Sequence, residues 1–347
     1  MKHRAKWLAL AAVLSIGTVL KAEVKEVKPG NLVPLKLGNM PVTGHAKYFI
    51  AKDTGIFERE GLDVQLLEFT NSADGLAAIR AGKLDGGAFG TTAPLVHIDK
   101  GADLRIIAGI MGEDAALITK PENVNKIKTI PDLKGKRIAT VRLATGDAVL
   151  RGALEQAGLD WKKDIKLFEL KNPPAVLEAV KTGQVDVGVV WGPHDLRAEA
   201  QGLAVIIRSR SLQAGHPCCR LVVQSSELVK RPEIWVKVIR SLLLAQKFAN
   251  DNHEKTVDIV AGNLKLDKKL VDQAYYHGFL DQSTDPNRKG IELFWKTMQA
   301  SDFVKSKDSI DKFIDPSIYK KALDSLVKEY PADPFWAELE KQFATRN

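Results

Sequence analysis

Cysteine is nearly absent from this chain of 347 residues: there are two, Cys218 and Cys219, and they are adjacent. Neither follows the N-terminal apolar run, so no thiol stands there for lipid attachment. Long apolar runs are equally scarce. The one present, Trp7 to Leu20, follows the basic residues Met1-Lys2-His3-Arg4-Ala5-Lys6. It is too short for a comfortable membrane span and reads as a secretory leader over residues 1–22, cleaved near Ala22. Four of the positives behind the formal charge of +8 (Lys2, Arg4, Lys6 and Lys21) belong to that leader, which has no acid. The secreted chain then carries a small, dispersed excess, which argues against nucleic acid as a partner. No nucleophile-base spacing and no cofactor motif stands out, so neither an enzyme nor a cofactor is expected. About 325 mature residues, in a chain 45% hydrophobic and 27% charged, suit a soluble protein of two domains.

What is present is a unit used twice. Leu76-Ala77-Ala78-Ile79-Arg80-Ala81-Gly82-Lys83-Leu84-Asp85-Gly86-Gly87 returns 101 positions later as Leu177-Glu178-Ala179-Val180-Lys181-Thr182-Gly183-Gln184-Val185-Asp186-Val187-Gly188. Each copy reads as a helix stopped by a glycine, then a buried strand. Loops follow, Phe89 to Pro94 in the first copy and Trp191 to His194 in the second. Two similar α/β lobes with a cleft between them are expected.

Taken in order, Pro34–Asn39 reads as a strand, Met40–His45 as a loop and Ala46–Thr54 as a helix; Val64–Glu68 and Leu104–Gly109 are further strands. The polar, Pro-bounded stretch Pro121–Pro131 reads as a connector. A second lobe has strands at 165–170, 185–190 and 204–207 and helices at 147–157 and 175–182. A strand at Arg220-Leu221-Val222-Val223 returns the chain to the first lobe, and helices dominate from Pro232 onward, bracing that lobe. The expected division is residues 33–118 for the first part of lobe one, 119–215 for lobe two, and 216–347 for the return strand and the helices completing lobe one. The last helix, Pro334–Thr345, has no evident role.

The stretch His45 to Phe57, followed by Glu60-Gly61-Leu62-Asp63-Val64, closely resembles the opening of periplasmic solute-binding proteins of ABC importers of the nitrate, sulfonate, taurine and thiamine-pyrimidine-precursor type. The likeness continues through Ala81-Gly82-Lys83-Leu84-Asp85, Leu133 to Ala139 and Gly183 to Trp191. It implies the two-lobed periplasmic binding protein fold (type II), an α/β architecture with a hinge of two crossover strands and a helical C-terminal tail. It also implies a periplasmic location, a monomer, and an inner-membrane ABC permease as partner.

In open α/β sheets ligands lie beyond the strand C-termini, beside helix N-termini that favour anions. Four loops meet this description: Thr43-Gly44-His45; Asn71-Ser72, where a cap is also expected; Gly90-Thr91-Thr92; and Thr140 to Asp147, with Arg142, Thr145 and Gly146. Arg142 is a candidate for bidentate hold on an oxyanion. In relatives the segment around Thr145 and Gly146 contacts ligand oxyanions, but Asp147 is an awkward charge beside an anion. Trp191 is a candidate stacking platform, with His194 beyond it.

Glu113, His216, Cys218 and Cys219 should border the hinge. In an oxidising compartment the neighbouring thiols are expected to close a vicinal disulfide. Three readings of the pair stay open: an apolar wall against the ligand, a structural kink, and a reduced pair holding a soft metal ion with His216. Together these residues point to capture of a small organic ligand, anionic or carbonyl-bearing and partly apolar, by hinge closure. The rivals are a soft-metal or metal-complex carrier, an enzyme like the pyrimidine-synthesising members of the same group, and a sensor-linked binding protein.

Overall fold

The computed structural model describes residues 32–347; the leader read over residues 1–22 lies outside them. Strands β1 (Val33–Asn39), β2 (Leu62–Glu68), β3 (Gly86–Gly90) and β4 (Leu104–Gly112) enter a first sheet. Strands β5 (Ala115–Thr119), β6 (Arg137–Val141), β7 (Lys166–Leu170), β8 (Val187–Trp191) and β9 (Ala204–Arg208) form a second, and β10 (Pro217–Gln224) returns to the first. The orders are β2-β1-β3-β10-β4 and β7-β6-β8-β5-β9. In each sheet the fourth strand is the one delivered by a crossover, and it runs antiparallel to both neighbours. The two lobes therefore exchange one strand each.

The first crossover is short. The chain leaves the first sheet at Glu113–Asp114, and Ala115–Thr119 already pairs with β8 and β9. The boundary expected after Ile118 is thus moved back: the apolar run from Leu104 to Thr119 hides a break at two acidic residues, the first of which adopts a positive φ of 59°. The second crossover runs from Ser209 to His216.

Strands covered on both faces need apolar residues on both. Accordingly Leu221, Val222 and Val223 of β10 are all fully buried, and so are Ile106, Ile107 and Ala108 of β4. The helices from Pro232 onward pack on the first lobe, led by Pro232–Asp251, whose Trp235 is buried against Gly86. The last helix, Pro334–Arg346, returns to the crossover region: Arg346 pairs with Asp281 at 3.0 Å, and the Asn347 amide donates to Asp285 at 2.9 Å. Among the described residues no helix is long and apolar enough to cross a membrane.

Candidate functional site

The ends of β1, β3, β4 and β10 meet those of β5, β6 and β8 across a narrow seam. On the first lobe it is lined by Met40, Val42, Ser72, Gly90, Met111, Cys218 and Cys219; on the second by Ala115, Ala144, Thr145, Gly146 and Trp191. The seam leaves about 20 Å³ for solvent centres, room for little more than one water. The lobes are closed on each other.

Local sequence explains how each polar group arrives there. Asn71 caps the helix Ser72–Arg80 by accepting the Asp74 N–H at 2.9 Å. Ser72, the first helical residue, turns its Oγ to accept the Gly90 N–H at 2.9 Å. Across the seam the helix Thr145–Gln156 begins without a side-chain cap, so its first N–H groups and positive dipole end are available at the cavity edge. The Thr145 hydroxyl donates to the Cys218 carbonyl at 2.9 Å, a hydrogen bond between lobes. That carbonyl also accepts the Thr91 N–H at 2.7 Å and the Thr91 hydroxyl at 3.0 Å. Gly90 is required by closeness: a Cβ there would stand 3.0 Å from Ser72 Oγ and 3.2 Å from Thr145 Oγ1.

Asp147 does not oppose an anion as its position implied. It is buried and held by the Arg151 guanidinium at 2.9 Å through both oxygens, while Arg151 also reaches Glu169 and stacks over Trp161, 3.9 Å from the ring centre. Burial pushes its carboxyl up to about 6, against the pull of Arg151. Beneath the seam Lys47 and Arg220 are buried. Lys47 donates to the Ile110 carbonyl at 2.8 Å, and Arg220 donates to the Met111 and Cys219 carbonyls, each at 2.8 Å. Burial lowers Lys47 to about 7 and Arg220 to about 10.

The structure gathers seven of the expected residues at the cavity: Ser72, Gly90, Thr145, Gly146, Trp191, Cys218 and Cys219. The others stand elsewhere. Arg142 is exposed and lines no part of the seam, because the chain turns at Leu143, with a φ of 59°, before the helix starts. Gly44 lies against Met111, His45 is buried with Nδ1 accepting the Met40 N–H at 3.2 Å, and Thr92 is buried in the first turn of its helix. Glu113 takes Arg210 and the Gly215 N–H. His194 packs edge-on to Trp191. His216 is bound to Ser209 Oγ at 2.9 Å, outside the cavity lining, so it does not complete a metal site with the cysteines.

Both cysteines are buried side by side in β10, with free thiols. The neighbouring thiols act on each other so that the Cys218 thiol is lowered and that of Cys219 raised, burial adding to the rise at Cys219. Met40, Val42, Met111, Ala115 and Ala144 were not expected at the site. Apolar residues carry no chemical signature, and only their place at strand ends could have found them. Met40 follows β1, and Met111 pairs in register with Cys219.

Two α/β lobes joined by paired crossovers around a cavity at their strand ends define the periplasmic-binding-protein class. Residues 28–262 match the NMT1-like family, and the chain belongs to it. A putative binding protein of Brucella abortus is 27% identical over 240 residues, covering 68% of this chain and 73% of the relative. A putative aliphatic sulfonates-binding protein of Escherichia coli is 31% identical over 199 residues, covering 56% and 59%. The fold matches that of the periplasmic nitrate-binding protein NrtA from Synechocystis, with a TM-score of 0.72 at 18% identity over 87% of this chain and 90% of the other.

Proposed function

We propose that the chain is the extracytoplasmic solute-binding component of an ABC importer of the sulfonate and nitrate type, non-catalytic, monomeric and delivering to an inner-membrane permease. Its ligand is a small organic oxyanion with an apolar portion. The observation that carries this reading is the uncapped N-terminus of the helix Thr145–Gln156, facing a cavity whose remaining walls are apolar and sulfur-bearing. Helix N–H groups and the dipole stabilise an anion without a cationic side chain, in keeping with a lining that contains no lysine or arginine. Met40, Val42, Met111 and Trp191 supply the apolar side, which a bare inorganic anion would leave unused. The seam as it stands holds little more than one water, so the lobes must part for entry and close on the ligand in a wider form, which contact with both lobes favours.

The test is titration calorimetry of the mature chain with taurine, methanesulfonate, hexanesulfonate and nitrate, alongside native mass spectrometry of the protein as secreted. One-to-one binding of an alkyl-bearing sulfonate, tighter than nitrate, is expected. Nitrate binding as tightly as every sulfonate, or no anion binding at all, would sink the reading.

A further inference from the structure

Away from the interlobe cavity, two histidines and an aspartate converge in the helical tail. His253 opens the helix His253–Leu264, Asp272 lies in the helix Lys268–Tyr276, and His277 follows that helix directly. Nε2 of His253 stands 2.7 Å from Asp272 Oδ1, and Nε2 of His277 stands 3.6 Å from Asp272 Oδ2. One nitrogen or oxygen from each of the three residues lies within 4.8 Å of the others.

His253 and Asp272 form a close polar pair at 2.7 Å, and Asp272 Oδ1, otherwise buried, takes no further hydrogen-bond donor. Atoms so placed can both face a third point, as ligands of one ion do. Donors at bonds of roughly 2.0–2.2 Å from a zinc-like ion stand about 3.3 to 3.6 Å apart around a tetrahedron, within reach of the observed spacings after small side-chain rotations. The ring of His253 is fixed by Tyr276, with centroids 4.1 Å apart, so one ligand is already oriented. Both histidines are exposed, leaving the ion's other positions to water.

We propose that His253, Asp272 and His277 form a binding site for a divalent transition-metal ion of the zinc, cobalt, nickel and copper group. Two imidazoles with one carboxylate suit these borderline ions, whereas calcium and magnesium call for more oxygen donors. The site joins the start of one helix to the end of the next, and none of its residues lines the seam around Cys218, although His277 also borders a second cavity, between the tail and the second lobe. Metal binding can therefore be read apart from solute binding in that seam.

The experiment uses the untagged mature chain titrated with Zn2+ alone by calorimetry and with Co2+ alone by visible absorption. One equivalent is expected, with Co2+ giving the spectrum of nitrogen and oxygen ligation. His253→Ala, Asp272→Asn and His277→Ala should each weaken binding by at least about tenfold, since loss of outer-shell partners alone costs 10–100-fold at metal sites. Replacing both cysteines by serine should leave it unchanged. Absence of saturable binding, retention of full affinity in the His253→Ala/His277→Ala double variant, or loss only on removing the cysteines would each overturn the proposal.

Discussion

The two copies of the helix-turn-strand unit can now be laid over each other, and they agree further than their sequences did. Asn71 and Asn172, 101 positions apart, both cap the unit's helix by accepting an N–H three residues on. Gly82 and Gly183 both end it in the left-handed conformation, with φ of 68° and 76°. Asp85 and Asp186 each accept the backbone N–H of the lobe's first strand, Lys36 at 2.7 Å and Arg137 at 2.8 Å, and those two residues are again 101 apart. Strand registers repeat as well: Leu37 pairs with Gly86 as Ile138 does with Val187. What differs is the residue each strand presents at its end. In the first lobe Gly90 allows backbone, Ser72 and Thr145 to crowd together; in the second Trp191 fills the same place with a ring. The scaffold repeats, and the two copies differ at the strand ends that face the seam.

The lobes also differ under acid, through one histidine in each whose pKa is depressed by burial. Burial, with Lys47 adding to it, pushes His45 down to about 3; burial, with Arg197 adding, pushes His194 down to about 4. Both pKa values are depressed on folding, so each contributes stability that is present above about 6.5 and is lost as pH falls toward the folded value. The slope is about 1.4 kcal/mol per pH unit per group, giving up to roughly 5 kcal/mol for His45. Urea melts from pH 6.5 down to about 3 should show this loss; down to about pH 4.5 His45→Asn and His194→Asn should flatten the slope alike, and below about 4 only His45→Asn should still do so, because His194 has by then taken up its proton in the fold. An equal slope in both variants below about pH 4 would remove the distinction between the lobes.

Next in size comes the filling of the close approach. Gly90→Val overpacks the seam, at a cost of about 1–3 kcal/mol, which corresponds to as much as roughly 150-fold in affinity for the solute. Trp191→Ala removes contact without blocking closure and should cost about tenfold. Calorimetry reads both. If Trp191→Ala were the worse of the two, the ring and not the backbone approach would be the tighter constraint on closure.

The third comparison tests the shared scaffold. Asp85→Ala and Asp186→Ala each leave a strand N–H without its side-chain acceptor, at about 0.5–1.5 kcal/mol, measured by chemical unfolding. Asp186 also holds the Arg137 guanidinium at 2.8 Å and Asp85 also holds Arg231, so the two losses should be similar. A large gap between them would show that one copy no longer depends on the device.

These pairs also show what was legible in sequence and what was not. Glycine and aspartate coincide in the two copies because each has one backbone job, and such jobs survive as identities. The strand and helix pattern followed for the same reason, since periodicity and glycine stops report local geometry. The cavity was legible only in part. Ser72, Gly90, Thr145, Gly146 and Trp191 stand at helix starts and strand ends that topology assigns to ligands. Arg142 drew attention by its charge, but the turn at Leu143 leaves it in solvent. Met40 and Met111 offered no sign, because an apolar wall is defined by what it faces. Nor did the sequence join His253 to Asp272 and His277, which depends on how two helices meet.

The smallest expected effect separates contacts within a lobe from those between lobes. The Cys218 carbonyl accepts hydroxyls from Thr91, on its own lobe, and from Thr145, across the seam. Thr145→Val keeps the shape and leaves that carbonyl its two Thr91 donors, so the fold should be little affected. The lost hydrogen bond, worth about 0.5–1.5 kcal/mol, exists only when the lobes are closed. Its removal therefore acts on the closed population, weakening ligand binding about 2–12-fold and enlarging the ligand-free chain in small-angle scattering. Thr91→Val removes a donor present in open and closed forms alike, so affinity should stay within about twofold even if stability falls by a similar 0.5–1.5 kcal/mol. Equal affinity losses in the two variants would mean that the hydroxyls serve the local structure around Cys218 and do not latch the lobes.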